Sequence, residues 1–291
     1  MKTIAKQSNR KAAFTIVELL TVMSIIVILI GLLVPALNAV RIYAKEVKQS
    51  AQFHSLEAAI ELFSTAFDGY PESGGLDPTG ESYCGAMKLC EAMMGQDLLG
   101  FHPNSVFRRD GRDATGTRLL YDPTDLSSRK RPYLTPESAD AVEIREIWST
   151  TTPFLATSRV LCDVYTRKLA SGTKLGMPIL YYKADTRGSL HDASLAGAMT
   201  PRDNQNNIYN FYDNQELLDL GIPGAPPGSD FLLKNPLRFY KNTLSDKITT
   251  TSRPFNADKY ILISAGYDAE YGTADDICNF DWKYVDSGAG W

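Results

Sequence analysis

The sequence predicts an α+β protein. One long N-terminal helix, membrane-spanning in its first half, packs its second half on a small antiparallel sheet, and a large irregular insertion interrupts the rest. Three observations predict this. From Phe14 to Leu37 the only charge is Glu18, and about 20 apolar residues suffice to cross a bilayer as a helix. Phe53, Leu56, Ile60, Phe63 and Phe67 recur at spacings of 3, 4, 3 and 4, which is a helical stripe. Ile179–Tyr182 and Tyr260–Ile263 are short β-branched and aromatic runs that read as strands, and a helix followed by separated strands favours α+β.

Composition sets the outer bounds. The chain has 291 residues, 44% hydrophobic and 22% charged, with 21 Gly and 15 Pro. That excludes a collagen-like or wholly low-complexity chain and allows one or two domains. A formal charge of −4 disfavours a nucleic-acid binder that relies on a global positive field. Cys84, Cys90, Cys162 and Cys278 are too few for a disulfide framework and lack zinc-ribbon spacing. His54, His102 and His191 are scattered, which leaves little for a His-based site.

The first element is the apolar helix. Residues 1–13 carry Lys2, Lys6, Arg10 and Lys11 and no acid, so the remainder of the chain has a formal charge of −8. A cationic flank before the span predicts a cytoplasmic N-terminus and a C-terminal domain on the far side. The alternative is a secretory signal peptide cut after the apolar run, but an A-x-A-like cut site is poorly offered and the run exceeds the usual h-region. Glu18 argues further. A carboxylate near the start of a membrane helix is costly and normally has a partner. A simple anchor has no use for it, and none is expected within this helix. A free α-amino group would serve, exposed by removal of the leader just before Phe14.

Lys11-Ala12-Ala13-Phe14-Thr15-Ile16-Val17-Glu18-Leu19-Leu20 resembles the type IV prepilin leader, a basic leader and a small residue followed by Phe-Thr-Leu-Ile-Glu. The resemblance implies that a prepilin peptidase cuts between Ala13 and Phe14 and methylates the new Phe14 amine. It also implies that Glu18 pairs with the amine of a neighbouring subunit during filament assembly. The family usually has Gly at the cut, where this chain has Ala13. Pro35 falls at the twenty-second mature position, where type IV pilins often carry a kinking Pro. A Pro near a membrane exit is also common without any special role.

The helix is expected to continue. Val40–Val47 is amphipathic, and after a phase slip near Ser50 the apolar stripe faces a domain, with Lys45, Glu46, Lys48, Glu57 and Glu61 mainly on wet faces. From Thr15 to about Ala66 such a helix runs roughly 75–80 Å at 1.5 Å per residue. Asp68-Gly69-Tyr70-Pro71 ends it, Gly69 being able to take φ > 0 and Pro71 unable to continue. Ser55–Phe63 followed by this terminus also resembles the G-type (major) pseudopilins of type II secretion, which share a Leu-Glu-x-Ala stretch and a Gly-x-Tyr-Pro-like helix end. The expected organisation is leader 1–13, transmembrane half 14–37, amphipathic half 38–68 and a periplasmic head 69–291.

Residues 72–175 carry little signal. Cys84–Cys90 reads as a helix start with Met87, Leu89 and Met93 near it, and a Cys84–Cys90 disulfide and two unpaired buried thiols both stay open. Arg108, Arg109 and Arg112, like Arg129-Lys130-Arg131, lie beside Asp residues and read as solvated loops. Pro201–Asn207 and Gly221–Ser229 are loop-like. G-type pseudopilins are much shorter, so about 74–225 reads as the insertion.

The segment Ser264–Ile277 is the second informative one. Asp268, Asp275 and Asp276 converge if turns at Gly266 and Gly272 fold the loop back, and no Lys or Arg lies between Ser264 and Phe280. Close carboxylates repel unless a cation intervenes. Oxygen ligands alone suit Ca²⁺, and zinc is disfavoured with no His nearby. The spacing is not that of an EF-hand. Ser264, Gly266, Asp268, Gly272, Thr273, Asp275, Asp276 and Ile277 resemble the calcium loop of G-type pseudopilins, with Ala269 in place of the family's Gly. The resemblance implies side-chain oxygens from Asp268, Asp275 and Asp276 and carbonyls from Ala265, Glu270 and Thr273.

The expected function is structural: a pseudopilin anchored in the bacterial inner membrane and assembled into a periplasmic filament that supports type II secretion. Its expected partners are the membrane, pilin-like subunits including itself, prepilin peptidase and the assembly platform, with no nucleic acid. Filament growth would draw on an ATPase elsewhere, since no G-x-x-x-x-G-K-[ST] is present. Alternatives are a minor pilin for adhesion or DNA uptake and an anchored enzyme using the three Asp. No H-E-x-x-H, G-x-S-x-G or G-x-G-x-x-G supports the enzyme, and no catalytic residue is assigned.

Overall fold

A computed structural model describes residues 15–135, 140–168, 172, 174–196, 206–223, 236–248, 250–281 and 284. The chain divides into two compact units, Met1–Ala44 and Lys45–Trp291.

Helix α1, Ile16–Phe67, begins in the first unit and is unbroken through Pro35. Residues 16–44 are exposed on every side, although most are large and apolar. An all-round apolar helix needs an apolar surrounding. It is the one described helix long and apolar enough to span a membrane.

The second unit starts at Lys45. Here α1 buries Gln49, Phe53, Leu56, Ala59, Ile60 and Phe63, the face marked by the apolar stripe. Phe63 and Phe67 pack edge-on to Phe101 at 5.1 Å between ring centroids. The helix ends in a Schellman turn, the Gly69 N–H donating to the Ser64 carbonyl at 3.2 Å. Asp68, with φ of 56°, takes the left-handed position that the sequence suggests for Gly69. A short Asx side chain tolerates that conformation better than most.

Helix α2, Gly85–Met94, is buried at all ten positions. It packs against β2 (Arg159–Leu161) and β5 (Leu180–Lys183). Gly85 permits the approach, since a Cβ there would lie 2.4 Å from the Tyr181 carbonyl oxygen. Strand β1 (Ala141–Glu143) pairs with β2, and β3 (Arg167–Lys168) pairs with β4 (Lys174–Leu175). The central sheet runs β5-β6-β7, antiparallel throughout, with β6 spanning Tyr260–Ser264 and β7 spanning Ile277–Cys278. Leu180 faces Ile263 and Ser264 faces Ile277. All five β6 residues are buried, so both faces are covered and no alternation shows. Short helices α3 (Ile144–Ile147), α4 (Gln215–Leu218) and α5 (Pro236–Asn242) complete the described elements, with 3₁₀ turns at 193–196 and 211–213.

The expected helix near Cys84–Cys90 and the strand at Ile179–Tyr182 become α2 and β5, so the stretch 74–225 contributes to the core. One expectation changes. Arg129 is not solvated: its side chain is 1% exposed, it donates to both Asp97 carboxylate oxygens at 2.7 Å, and it lies 5.2 Å from the Tyr121 ring centroid. Of the two open readings of Cys84 and Cys90, unpaired buried thiols hold. Cys84 caps α2 and Cys90 lies six residues along it, about 9 Å at 1.5 Å per residue, beyond the roughly 7 Å that a disulfide can bridge. Of the two expected loops, 201–205 and 224–229 lie outside the described residues.

Candidate functional site

In the first unit, Glu18 occupies the third helical position of α1. Thr15 donates to its Oε2 from both the backbone N–H, at 2.9 Å, and the hydroxyl, at 2.8 Å. The Glu18 N–H donates back to Thr15 Oγ1 at 3.2 Å. This is a reciprocal capping box, which satisfies N–H groups that no helical carbonyl can reach. The expectation that Glu18 finds no partner within its own helix is therefore corrected. Ala13 and Phe14 lie outside the described residues.

In the second unit, the acid loop 264–277 connects β6 to β7. Gly266, with φ of 63°, starts the turn, and a Cβ there would lie 2.2 Å from the Asp275 carbonyl oxygen. Ala269 adopts φ of 62°, a left-handed conformation that Gly takes more readily than Ala. Asp275 Oδ2 accepts the N–H groups of Tyr267 at 2.6 Å and Asp268 at 3.0 Å, while its Oδ1 accepts the Thr273 hydroxyl at 2.7 Å. Asp268 Oδ1 accepts the Glu270 N–H at 2.8 Å. Asp276 is buried, and its Oδ2 accepts the Gly272 N–H at 2.6 Å.

The loop thus brings Asp268 and Asp275 against each other. Burial, followed by repulsion from Asp275, raises the Asp268 carboxyl above its usual range. Burial also acts on Asp275, but hydrogen bonds from Thr273 and from the Asp268 and Tyr267 amides outweigh it and hold Asp275 low. One proton or one cation between the two relieves the repulsion. Burial lifts Asp276 well above the usual range, with further repulsion from Asp268 and Asp275. Among the described residues no three Asp, Glu, His or Cys side chains gather into a metal-holding group. The carbonyls of Glu270 and Thr273 accept long internal bonds, from Thr273 Oγ1 at 3.3 Å and the Asp276 N–H at 3.4 Å, and Ala265 is fully buried. Oxygen atoms alone, in a loop without His or Cys, match a hard cation better than zinc.

Cations reach this loop from elsewhere in the chain, which spacing could not reveal. Arg167 Nη2 donates to the Asp268 carbonyl. Lys45 Nζ lies 5.7 Å from the Tyr165 ring centroid and 5.6 Å from that of Tyr267. Asp163, absent from the sequence-based candidates, sits beneath the loop. It accepts the Ser264 hydroxyl at 2.8 Å and the amides of Tyr165 and Met177 at 3.1 Å each.

A cavity of about 900 Å³ lies away from the acid loop, between residues 72–74, 183–187 and 206–213. In its lining Lys183 pairs with Glu72 at 2.8 Å and Arg187 with Asp185 at 3.1 Å, while Asp213 accepts the Ser73 hydroxyl.

Comparison with protein-family profiles, curated proteins and solved structures finds no match for this chain. Its own geometry defines the class: an α+β protein with small antiparallel sheets and one N-terminal helix long and apolar enough to cross a membrane. That architecture is compatible with a pilin-like subunit.

Proposed function

We propose that the chain is a pilin-like structural subunit, closest in design to a G-type pseudopilin of type II secretion. On this reading α1 anchors it in the bacterial inner membrane, the head stands in the periplasm, and copies assemble into a filament that supports protein secretion. The observation that carries the reading is the first half of α1: exposed and apolar on every side, with one carboxylate, Glu18, in its first turn. Lipid would cover that surface before assembly and neighbouring helices after it. Glu18 would pair with the Phe14 amine of a neighbour once prepilin peptidase has removed 1–13. The acid loop would take Ca²⁺ through Asp268, Asp275 and Asp276, with carbonyls of Ala265, Glu270 and Thr273. Support for the cation is the Asp268–Asp275 pair, which lacks a neutralising charge within its own loop.

Mass spectrometry of the chain extracted from membranes tests the reading. Processing gives an N-terminal methylated Phe14. A mature chain that retains residues 1–13, or is released without its apolar span, overturns it.

A further inference from the structure

The cavity beside residues 72–74 holds a carboxyl that the fold leaves half satisfied. Asp213 closes the 3₁₀ turn 211–213, which Asn210 caps by accepting the Tyr212 N–H at 3.0 Å. The residue is only 6% exposed and lines the cavity. Its Oδ2 accepts the Ser73 hydroxyl at 2.5 Å, and Ser73 Oγ in turn accepts the Lys183 N–H at 3.0 Å. Its Oδ1 has no hydrogen-bond partner among the described residues.

The other charges in the lining cancel in pairs, Glu72 with Lys183 and Asp185 with Arg187. Asp213 makes no ion pair among the described residues. Lys88, buried on α2, spends its Nζ on the carbonyls of Gly74 and Leu76 at 2.6 and 2.8 Å. Burial pushes the Asp213 carboxyl up to about 6, against the Ser73 bond and the attraction of Lys88 and with repulsion from Glu72. Above that pH the cavity carries a buried carboxylate with one oxygen unmet. Such a group is costly unless paired, and a ligand that brings a positive donor removes the cost.

The lining selects among ligands. A phosphate would meet a carboxylate and cations that are already paired. A guanidinium fork needs both oxygens of a carboxylate, and Ser73 holds one of them. A divalent metal takes about six or more oxygens, and Asp213 offers one. A quaternary ammonium is held by aromatic rings, and no aromatic side chain is among the described residues of the lining. A primary ammonium is a compact point donor that one oxygen can meet. The volume of about 900 Å³ is that of an ordinary ligand pocket, so the ammonium arrives on a longer body.

We propose that this cavity binds a primary ammonium group carried on an extended chain, a peptide lysine or a small aliphatic diamine, with Asp213 Oδ1 as its acceptor and Ser73 holding the carboxylate in place. The site depends on neither the filament nor the calcium reading.

Calorimetric titration of the full chain in non-ionic detergent micelles tests the site, with Nα-acetyl-lysine methylamide and 1,5-diaminopentane as probes. At least one is expected to bind at pH 7.5, and the tighter of the two names the source. The Nε-acetylated lysine probe keeps the body, loses the charge and should not bind. Asp213→Asn keeps the shape and should weaken binding by about tenfold or more, the scale of a hydrogen bond to a charged group. The natural chain gives a reading that needs no substitution. Its affinity should fall by about tenfold from pH 7.5 to pH 5, as Asp213 takes up a proton near 6. Silence from both probes, equal binding of the acetylated one, or an affinity indifferent to pH overturns the site. So does a folded Asp213→Asn that binds as tightly as the natural chain.

Discussion

Thr15 and Glu18 bind each other in both directions, the Thr15 N–H and hydroxyl reaching Glu18 Oε2 at 2.9 and 2.8 Å and the Glu18 N–H reaching Thr15 Oγ1 at 3.2 Å. The carboxylate that would meet a neighbour's amine thus already has a partner at the start of its own helix. Assembly, on the proposed reading, is an exchange of hydrogen bonds rather than the rescue of an isolated charge. Glu18→Ala is expected to abolish filaments, scored by electron microscopy of cells carrying the assembly machinery, while the melting of the head is unchanged. Thr15→Val removes the hydroxyl but leaves the carboxylate, and filaments should persist. Normal filaments from Glu18→Ala would reduce that residue to a helix cap.

Chelation should destabilise the head. A ligand that binds only the folded state at one hundred times its dissociation constant adds about 2.7 kcal/mol. Each kcal/mol moves the melting temperature of a domain of 150–250 residues by about 2–4 °C. Calorimetry of the full chain in detergent, with and without chelator, measures this. Asp275→Ala also loses the bonds to Tyr267, Asp268 and Thr273, and it should melt low and ignore chelator. Identical melting of the natural chain under both conditions removes the cation.

Asp163 and Asp213 should favour the folded head more at pH 5 than at pH 7.5. Burial pushes Asp163 up to about 7 against hydrogen bonds from Ser264 and the Met177 and Tyr165 amides. It pushes Asp213 up to about 6 against bonds and charge from Ser73 and Lys88. An unfolded Asp titrates near 3.9. Between that value and about 7 these two folded carboxyls hold protons that the unfolded chain has lost, so their contribution to stability falls as pH rises through this window and levels off above it. Buried His191, pushed down to about 3, works the other way below about 6.5. Asp163→Asn should flatten the slope, since Oδ1 can keep both amides and the new N–H can face Ser264 Oγ. Melts across pH 5–8 whose slope is the same in the natural chain and in Asp163→Asn would place Asp163 back in the ordinary range.

Glu91, on α2, is buried and accepts from Tyr83 at 2.6 Å, Tyr121 at 2.8 Å, Gln96 at 2.9 Å and Ser105 at 2.5 Å. Glu91→Ala leaves these donors without an acceptor and should cost about 3–5 kcal/mol, the scale of breaking a buried charged network. Urea unfolding of the head measures the loss. A change under about 1 kcal/mol would mean that water replaces the carboxylate.

The helix and strands were readable because each repeats a simple local signal. The apolar stripe anticipated the buried face of α1 from Phe53 to Phe63, and the two β-branched and aromatic runs became β5 and β6. The Thr15–Glu18 capping box was also readable, as Thr-x-x-Glu ahead of an apolar run, but the cost of a carboxylate in a membrane helix pointed Glu18 toward an external partner instead. Asp163, Arg167 and Lys45 gave no such signal, because each acts on a loop about one hundred or more residues away in sequence.

The order of residues alone determined the apolar span, the amphipathic continuation, the two strands and the acidic turn, since periodicity, length and charge are local properties. Tertiary structure decided that α2 fills the core, that Arg129 is buried on Asp97, and that the acid loop meets Lys45 and Arg167. Those outcomes depend on which distant segments share one small volume, and close packing settles that only when the whole head is assembled.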